Sequence, residues 1–243
     1  PTLRARLTAF GDALLAASPP IAGLDRSIVI DPRRVHLTLG VMRLEKEDAA
    51  ASAYSKDAAA SAPSRDAAAS ASSMDANADP PKKTISTALA LLRSLAPQLA
   101  ALGPARVDLE RLGVLKTQKG GREANVLWVG PMEADESSLY AIADLVHQTF
   151  RREGYVLETR PLKLHVTLLN TTHRKKPRRR LAFSYIDVLH AHLASSTAHP
   201  TFPVPRHPIR ISLGSYEVHA VHLCEMGSHG PDNEYVSIGC VEF

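Results

Sequence analysis

Two stretches of the chain alternate apolar and polar residues with a period of two. From Val35 to Leu44 the apolar side chains Val35, Leu37, Leu39 and Val41 interleave with a polar row that starts at Arg34, His36 and Thr38. From Pro161 to Leu168, Leu164, Val166 and Leu168 interleave with Lys163, His165 and Thr167. That period belongs to a β-strand, so each stretch predicts a strand with one core face and one polar face. Helical spacing appears instead over Leu3 to Ala17, from the capping Thr84 to about Leu102 with Gly103-Pro104 as its stop, over Asp135 to Glu153, and over Tyr185 to Leu193. The third of these carries Leu139, Ile142, Ala143, Val146 and Phe150 on one stripe, and Gly154 closes it. Shorter β-branched or apolar runs predict strands at Arg26 to Ile30, Arg106 to Leu115, Asn125 to Gly130, Ile209 to Leu213, Glu217 to Cys224 and Tyr235 to Val241. Asp31-Pro32 and Lys119-Gly120-Gly121-Arg122 supply turns. Strand and helix elements thus gather around each alternating stretch, the pattern of a duplicated α+β unit.

Between the first strand and the second helix the pattern vanishes. Over 45–83 the composition collapses to Ala, Ser, Asp and Lys, and Ser55-Lys56-Asp57-Ala58-Ala59-Ala60-Ser61-Ala62 is echoed by Ser64-Arg65-Asp66-Ala67-Ala68-Ala69-Ser70-Ala71. Large apolar residues to offset ordering entropy are missing, so this stretch reads as a flexible insertion in a single domain of two closely packed lobes spanning 1–243.

The two alternating stretches are also copies of each other. Pro32-Arg33-Arg34-Val35-His36-Leu37-Thr38-Leu39 returns as Pro161-Leu162-Lys163-Leu164-His165-Val166-Thr167-Leu168. With 11 His and 13 Thr in 243 residues, a bare His-x-Thr triplet is expected about 0.6 times from composition, so the triplet alone says little. His147-Gln148-Thr149 is such a chance case, in a stretch of helical period where residues two apart diverge around the axis. The other two share a flanking proline, a basic residue and apolar alternation. A polar face with a cation, an imidazole and a hydroxyl suits a phosphate: cation and hydroxyl hold its oxygens while the imidazole moves a proton. Phosphodiester cleavage needs a base for the attacking oxygen and an acid for the departing one. Imidazoles, with an ordinary pKa of about 6.5, can divide those roles near neutral pH without a metal. His36, Thr38, His165 and Thr167 are therefore the catalytic candidates, with Arg34, Lys163 and Arg174 as substrate-binding cations and no cofactor.

On these strings the chain resembles the two-histidine (2H) phosphoesterase superfamily, in the 2′,5′ RNA ligase-like branch that includes A-kinase anchor protein 7 and subunit 1 of the activating signal cointegrator 1 complex. It is most similar to the latter through Leu24-Asp25-Arg26-Ser27-Ile28, Val35 to Gly40, Leu162 to Thr171 and Val221-His222-Leu223-Cys224-Glu225-Met226. The resemblance implies a bilobed α+β fold, two mostly antiparallel sheets backed by helices around a groove lined by His36, Thr38, His165 and Thr167. It implies metal-independent action on RNA ends, cyclic phosphates or 2′,5′-linked oligonucleotides, and, as partners, the subunits of a transcription-coactivator or alkylation-repair complex, in which a non-catalytic RNA-binding role is the alternative. Pro1 opens the chain inside an apparent helix, so it reads as a catalytic-domain fragment lacking an upstream strand and an RNA-binding KH domain.

Charge adds a local feature. Of 29 Lys and Arg, six fall in His173-Arg174-Lys175-Lys176-Pro177-Arg178-Arg179-Arg180, leaving 23 against 25 Asp and Glu, a net −2 elsewhere. That segment either steers an RNA backbone into the groove or is a solvated, nuclear-localisation-type cluster. Cys224 and Cys240 lack C-x-x-C spacing and read as core thiols, and the histidines outside the repeat lack the spacing of a metal site. With no apolar run of about 18 residues and no signal pattern, the expectation is an intracellular, nuclear or cytoplasmic, monomeric domain that avoids membranes. One Trp, six Tyr and five Phe are too few for a long base-stacking platform. Trp128 reads as core, and Tyr185, Tyr216 and Tyr235 as candidates to stack on a base.

Overall fold

The structure is a computed structural model that describes residues 2–47, 82–132, 137–174, 181–193, 205 and 207–243. It has an α+β architecture of helices and antiparallel sheets. Helices α1 (Leu3–Leu15), α2 (Ile85–Ser94), α3 (Ala96–Leu102), α4 (Ser138–Arg152) and α5 (Tyr185–Leu193) alternate with strands β1 (Ala105–Asp108), β2 (Arg111–Leu115), β3 (Glu123–Ala124), β4 (Val126–Gly130), β5 (Val166–Asn170), β6 (Phe183–Ser184), β7 (Ile209–Arg210), β8 (Ser215–Val218), β9 (Ala220–Cys224) and β10 (Ser237–Glu242).

The central sheet has strand order β5-β4-β2-β7, and the pairs β1-β8, β9-β10 and β3-β6 are separate. The expected strand from Arg106 to Leu115 is broken at Leu109-Glu110 because its halves belong to different sheets: β1 pairs with β8, and β2 with β4 and β7. The return segment breaks at the same level. Leu109 N–H donates to the Gly214 carbonyl, Leu213 N–H to the Leu109 carbonyl and Ile211 N–H to the Glu110 carbonyl, and Gly214 turns with φ +101°. These two antiparallel crossings bind the central sheet to the outer pair. Glu217 to Cys224 is likewise split into β8 and β9, at His219.

The helical expectations hold with one correction. Thr84 caps α2 by accepting from Thr87 N–H in a capping box. The chain nevertheless bends by 43° between α2 and α3, because Pro97 has no N–H to continue the ladder. In α4 the whole predicted stripe is buried, and Phe150 alone contributes about 1.5–3 kcal/mol on the usual scale of side-chain burial. Arg26–Ile28 and Pro32–Arg34 form short 3-10 turns where a strand and a simple turn were expected, and only Val29 keeps a β-bridge, to Leu169. Cys224 and Cys240 are exposed, not core, since the β9-β10 pair turns one face outward. Glu45 N–H donates to the Lys83 carbonyl at 2.8 Å, so the ends of the insertion meet, and its expected flexibility falls on 48–81, outside the described residues.

Candidate active site

The second copy of the repeat behaves as its alternation requires. Leu164, Val166 and Leu168 are buried, while His165 and Thr167 are half-buried and Lys163 is exposed. In the register, Thr167 lies opposite Trp128 and Trp128 opposite Gly113, so all three share one face of the central sheet. The indole fits only because its neighbours lack side chains: a Cβ on Gly113 would sit 2.5 Å from Trp128 Cζ2, and one on Gly130 3.3 Å from Cζ3. His165 Nδ1 lies 2.7 Å from the Lys163 carbonyl, its ring meets Trp128 edge-on with centroids 6.1 Å apart, and Lys163 Nζ stands 4.2 Å above the indole.

The first copy repeats this geometry with other parts. His36 Nδ1 lies 2.8 Å from the Arg34 carbonyl, and its ring meets Tyr235 edge-on at 5.0 Å. The Arg34 guanidinium carbon stands 4.1 Å above Tyr235. In both copies, then, the carbonyl two residues upstream holds Nδ1, and the cation two residues upstream covers the aromatic ring that abuts the imidazole. A carbonyl only accepts, so each Nδ1 carries the hydrogen and each Nε2 is left as the reactive nitrogen. Neither ring is sealed in hydrocarbon: His36 is exposed and His165 half-exposed.

Arg34 was expected to face a phosphate, and the structure shows one of its nitrogens engaged with a loop. It ends the 3-10 turn begun by Pro32, and Nη1 donates to the carbonyls of Ser228 and Asn233, both at 2.9 Å, which takes both its hydrogens. Asp31 reinforces the tie by accepting from Asn233 Nδ2 at 2.9 Å. The backbone N–H of Arg33 and then the Asn233 amide hold the Asp31 carboxyl below its ordinary pKa. The first copy is thus fastened to the β9-β10 loop, and it runs extended from Val35 without a ladder partner among the described residues. Further along, Leu39 accepts from His147 Nδ1 at 2.7 Å, so the chance triplet on α4 serves as a buried support for the first strand.

The copies are also joined. Ile30 N–H donates to the Leu168 carbonyl at 2.9 Å, which lays the approach to the first copy against β5. His173, just beyond β5, has its pKa lowered by partial burial and then by the charge of Arg34.

Arg174 belongs elsewhere. Its side chain is 5% exposed, with Nη1 2.7 Å from Asp25 Oδ2 and Nη2 2.6 Å from the Gly23 carbonyl, so it ties the turn after β5 to the segment after α1 instead of presenting charge to a ligand. The rest of the basic run, 175–180, lies outside the described residues. Of the three candidate tyrosines, Tyr235 meets His36. Burial pushes the Tyr185 hydroxyl up to about 12, and Tyr216 donates to the Leu213 carbonyl. Lys119 in the predicted rim turn pairs with Glu123 at 2.7 Å. Trp128 is buried, as expected, yet it is also the floor under His165; the signal that could have marked it is the pair of glycines on either side of it in the folded sheet.

Two imidazoles held alike, each two residues after a cation and two before a threonine in the chain, on an antiparallel α+β scaffold, are the marks of a 2H phosphoesterase-type protein. The chain belongs to the AKAP7 2′5′ RNA ligase-like domain family, whose model matches residues 1–243, the full length. No curated protein matches it.

Proposed function

We propose that this protein is a metal-independent phosphodiesterase acting on the ends of RNA or oligonucleotides, with a 2′,5′ or 3′,5′ linkage or a cyclic phosphate as the bond cleaved. The observation that carries the reading is the matched Nδ1–H···O=C bond at His36 and His165. In this mechanism a neutral imidazole accepts, at Nε2, the proton of the attacking ribose hydroxyl or water as its oxygen bonds to phosphorus. The other, protonated, gives its Nε2 proton to the oxygen whose bond to phosphorus breaks. One proton is taken and one given, so the two rings exchange protonation states and solvent resets them. The upstream carbonyl accepts from Nδ1–H in either state, which fixes the ring and steadies the imidazolium. Thr38 and Thr167 donate to nonbridging oxygens, and Lys163, exposed on the same face, supplies charge to the phosphate. Arg34 acts through Tyr235 and the loop it fastens.

The test is hydrolysis of 2′,5′- and 3′,5′-linked dinucleotides and of a 2′,3′-cyclic phosphate, in chelator, by wild type, His36→Ala and His165→Ala. Each substitution should lower the rate about 10²–10⁴-fold, the usual worth of a positioned acid or base. Equal rates in all three proteins would rule the assignment out, and saturable binding without turnover in wild type would make the site an RNA-holding module.

A further inference from the structure

Beside the second copy lies a cavity of about 270 Å³. Pro131, Tyr140, Pro161, Leu162 and Leu164 make carbon-rich walls, Arg111 and Lys163 bring cations, and Trp128 is shared with the site under His165. We propose that this cavity holds the base and sugar of one nucleotide, on the His165 side of the bond that is cleaved. The inference rests on the oligonucleotide reading above and adds a polarity to it.

Three observations carry it. The volume lies just below the roughly 300–1,000 Å³ of ordinary small-molecule clefts, which suits one ring system with its sugar and not a run of strand. The chemistry is mixed in the way a nucleotide is mixed: flat apolar walls beside positive charge, for a heterocycle joined to a phosphate. Finally, the cation on this cavity's wall, Lys163, is exposed, whereas its counterpart in the first copy, Arg34, lies over Tyr235 and donates to carbonyls of the β9-β10 loop. The site is therefore symmetric in its histidines and asymmetric in what it can hold beside them.

Trp128 is the single tryptophan of the chain, so its fluorescence reports on the cavity directly. Titration with a nucleoside monophosphate should change the emission saturably, whereas ribose 5-phosphate, which lacks the base, should bind at least about tenfold more weakly. Tyr140→Ala should abolish that preference and Leu162→Phe, which fills the cavity, should do the same; Tyr140→Phe should keep it. In turnover, an abasic sugar should raise KM about tenfold on one side of the cleaved bond and have no effect on the other. Tyr140→Ala should raise KM for the intact substrate with kcat nearly unchanged. Equal affinity for the two phosphates, or a preference indifferent to both Tyr140→Ala and Leu162→Phe, overturns the inference. Base-dependent binding without turnover would sink the phosphodiesterase reading and leave this cavity assigned; turnover indifferent to base removal on either side would do the reverse.

Discussion

Arg34 and Lys163 hold equivalent places, two residues before a histidine and 4.1 and 4.2 Å above an aromatic ring, but they are engaged differently. Arg34 is half-buried and a single nitrogen of it, Nη1, donates to two loop carbonyls, while Lys163 is exposed and presents a point charge. The difference follows from the rings. Trp128 is seated in the middle of a sheet, 2% exposed, over two glycines, so nothing further is needed to hold it. Tyr235 comes from the loop just before β10 and depends on Arg34 and Asn233 for its position. One half of the site is built on rigid sheet and leaves its cation exposed; the other is built on a loop and uses its cation as a fastener.

Exchanging the cations separates these roles. Arg34→Lys keeps the charge but replaces the planar guanidinium that covers Tyr235 and reaches the loop carbonyls, so the loop loosens, Tyr235 shifts and His36 is misplaced. The expected loss is up to about 10²-fold in kcat with KM little changed, the scale set by an ångström of misalignment. Hydrogen exchange at 228–235 should rise in parallel. An Arg34→Gln variant should also let the His173 pKa rise toward its ordinary value of 6.5, because Arg34's charge contributes to lowering it. Lys163→Gln should act in the opposite way, raising KM about tenfold and lowering the salt dependence of oligonucleotide binding by about one phosphate contact. If both substitutions change the same kinetic constant, the division of labour is wrong.

The rigid half can be disturbed from beneath. In Gly113→Ala the new methyl would meet Trp128 at 2.5 Å, and a buried indole flanked by sheet has little room to yield. A cost of about 1–3 kcal/mol is expected in denaturant unfolding, the range for overpacked cores. Activity should fall with it through His165, whereas the nucleus of the first half, read by exchange at the β9-β10 loop, should stay as in wild type.

Much of this was legible in the chain because period and position speak for packing. The alternation in Leu164 to Leu168 and the stripe on α4 matched burial residue by residue, since a strand or helix with one covered face leaves no other arrangement for its apolar residues. What was illegible depended on partners distant in sequence. Nothing near Arg106 to Leu115 says that its ends pair with different sheets, and nothing near Cys240 says that its hairpin has an open face. Arg174 sat at the head of a charge run that reads as solvated, yet Asp25 and Gly23, some 150 positions earlier, claim it. Removing it makes the correction measurable. Arg174→Leu should cost about 1–3 kcal/mol of stability, from the lost hydrogen bonds and the Asp25 pairing, while leaving the salt dependence of oligonucleotide binding as in wild type. A reduced slope would restore it to the substrate.

The smallest effect expected is in the acid range, and it probes the fastening of the loop half alone. The Asp31 carboxyl accepts from Arg33 N–H and the Asn233 amide, and both bonds hold its pKa below the ordinary 3.8. A folded value below the unfolded one means that the carboxylate stabilises the fold fully at pH above the unfolded value, and that this contribution is lost as pH falls from there through the folded value. Unfolding profiles should therefore show wild type losing stability more steeply than Asp31→Asn below about pH 4, with the two curves parallel above it. Asn233→Ala should shrink the difference without removing it, since the Arg33 bond remains. Because the lowering comes first from two short hydrogen bonds, the gap should narrow only slightly with added salt, unlike that of a long-range charge pair. The second copy carries no equivalent acid at its turn, Leu162 standing where Arg33 does and Arg160 before the proline where Asp31 stands, so acid should loosen the β9-β10 loop while the Trp128 emission still reports an intact sheet.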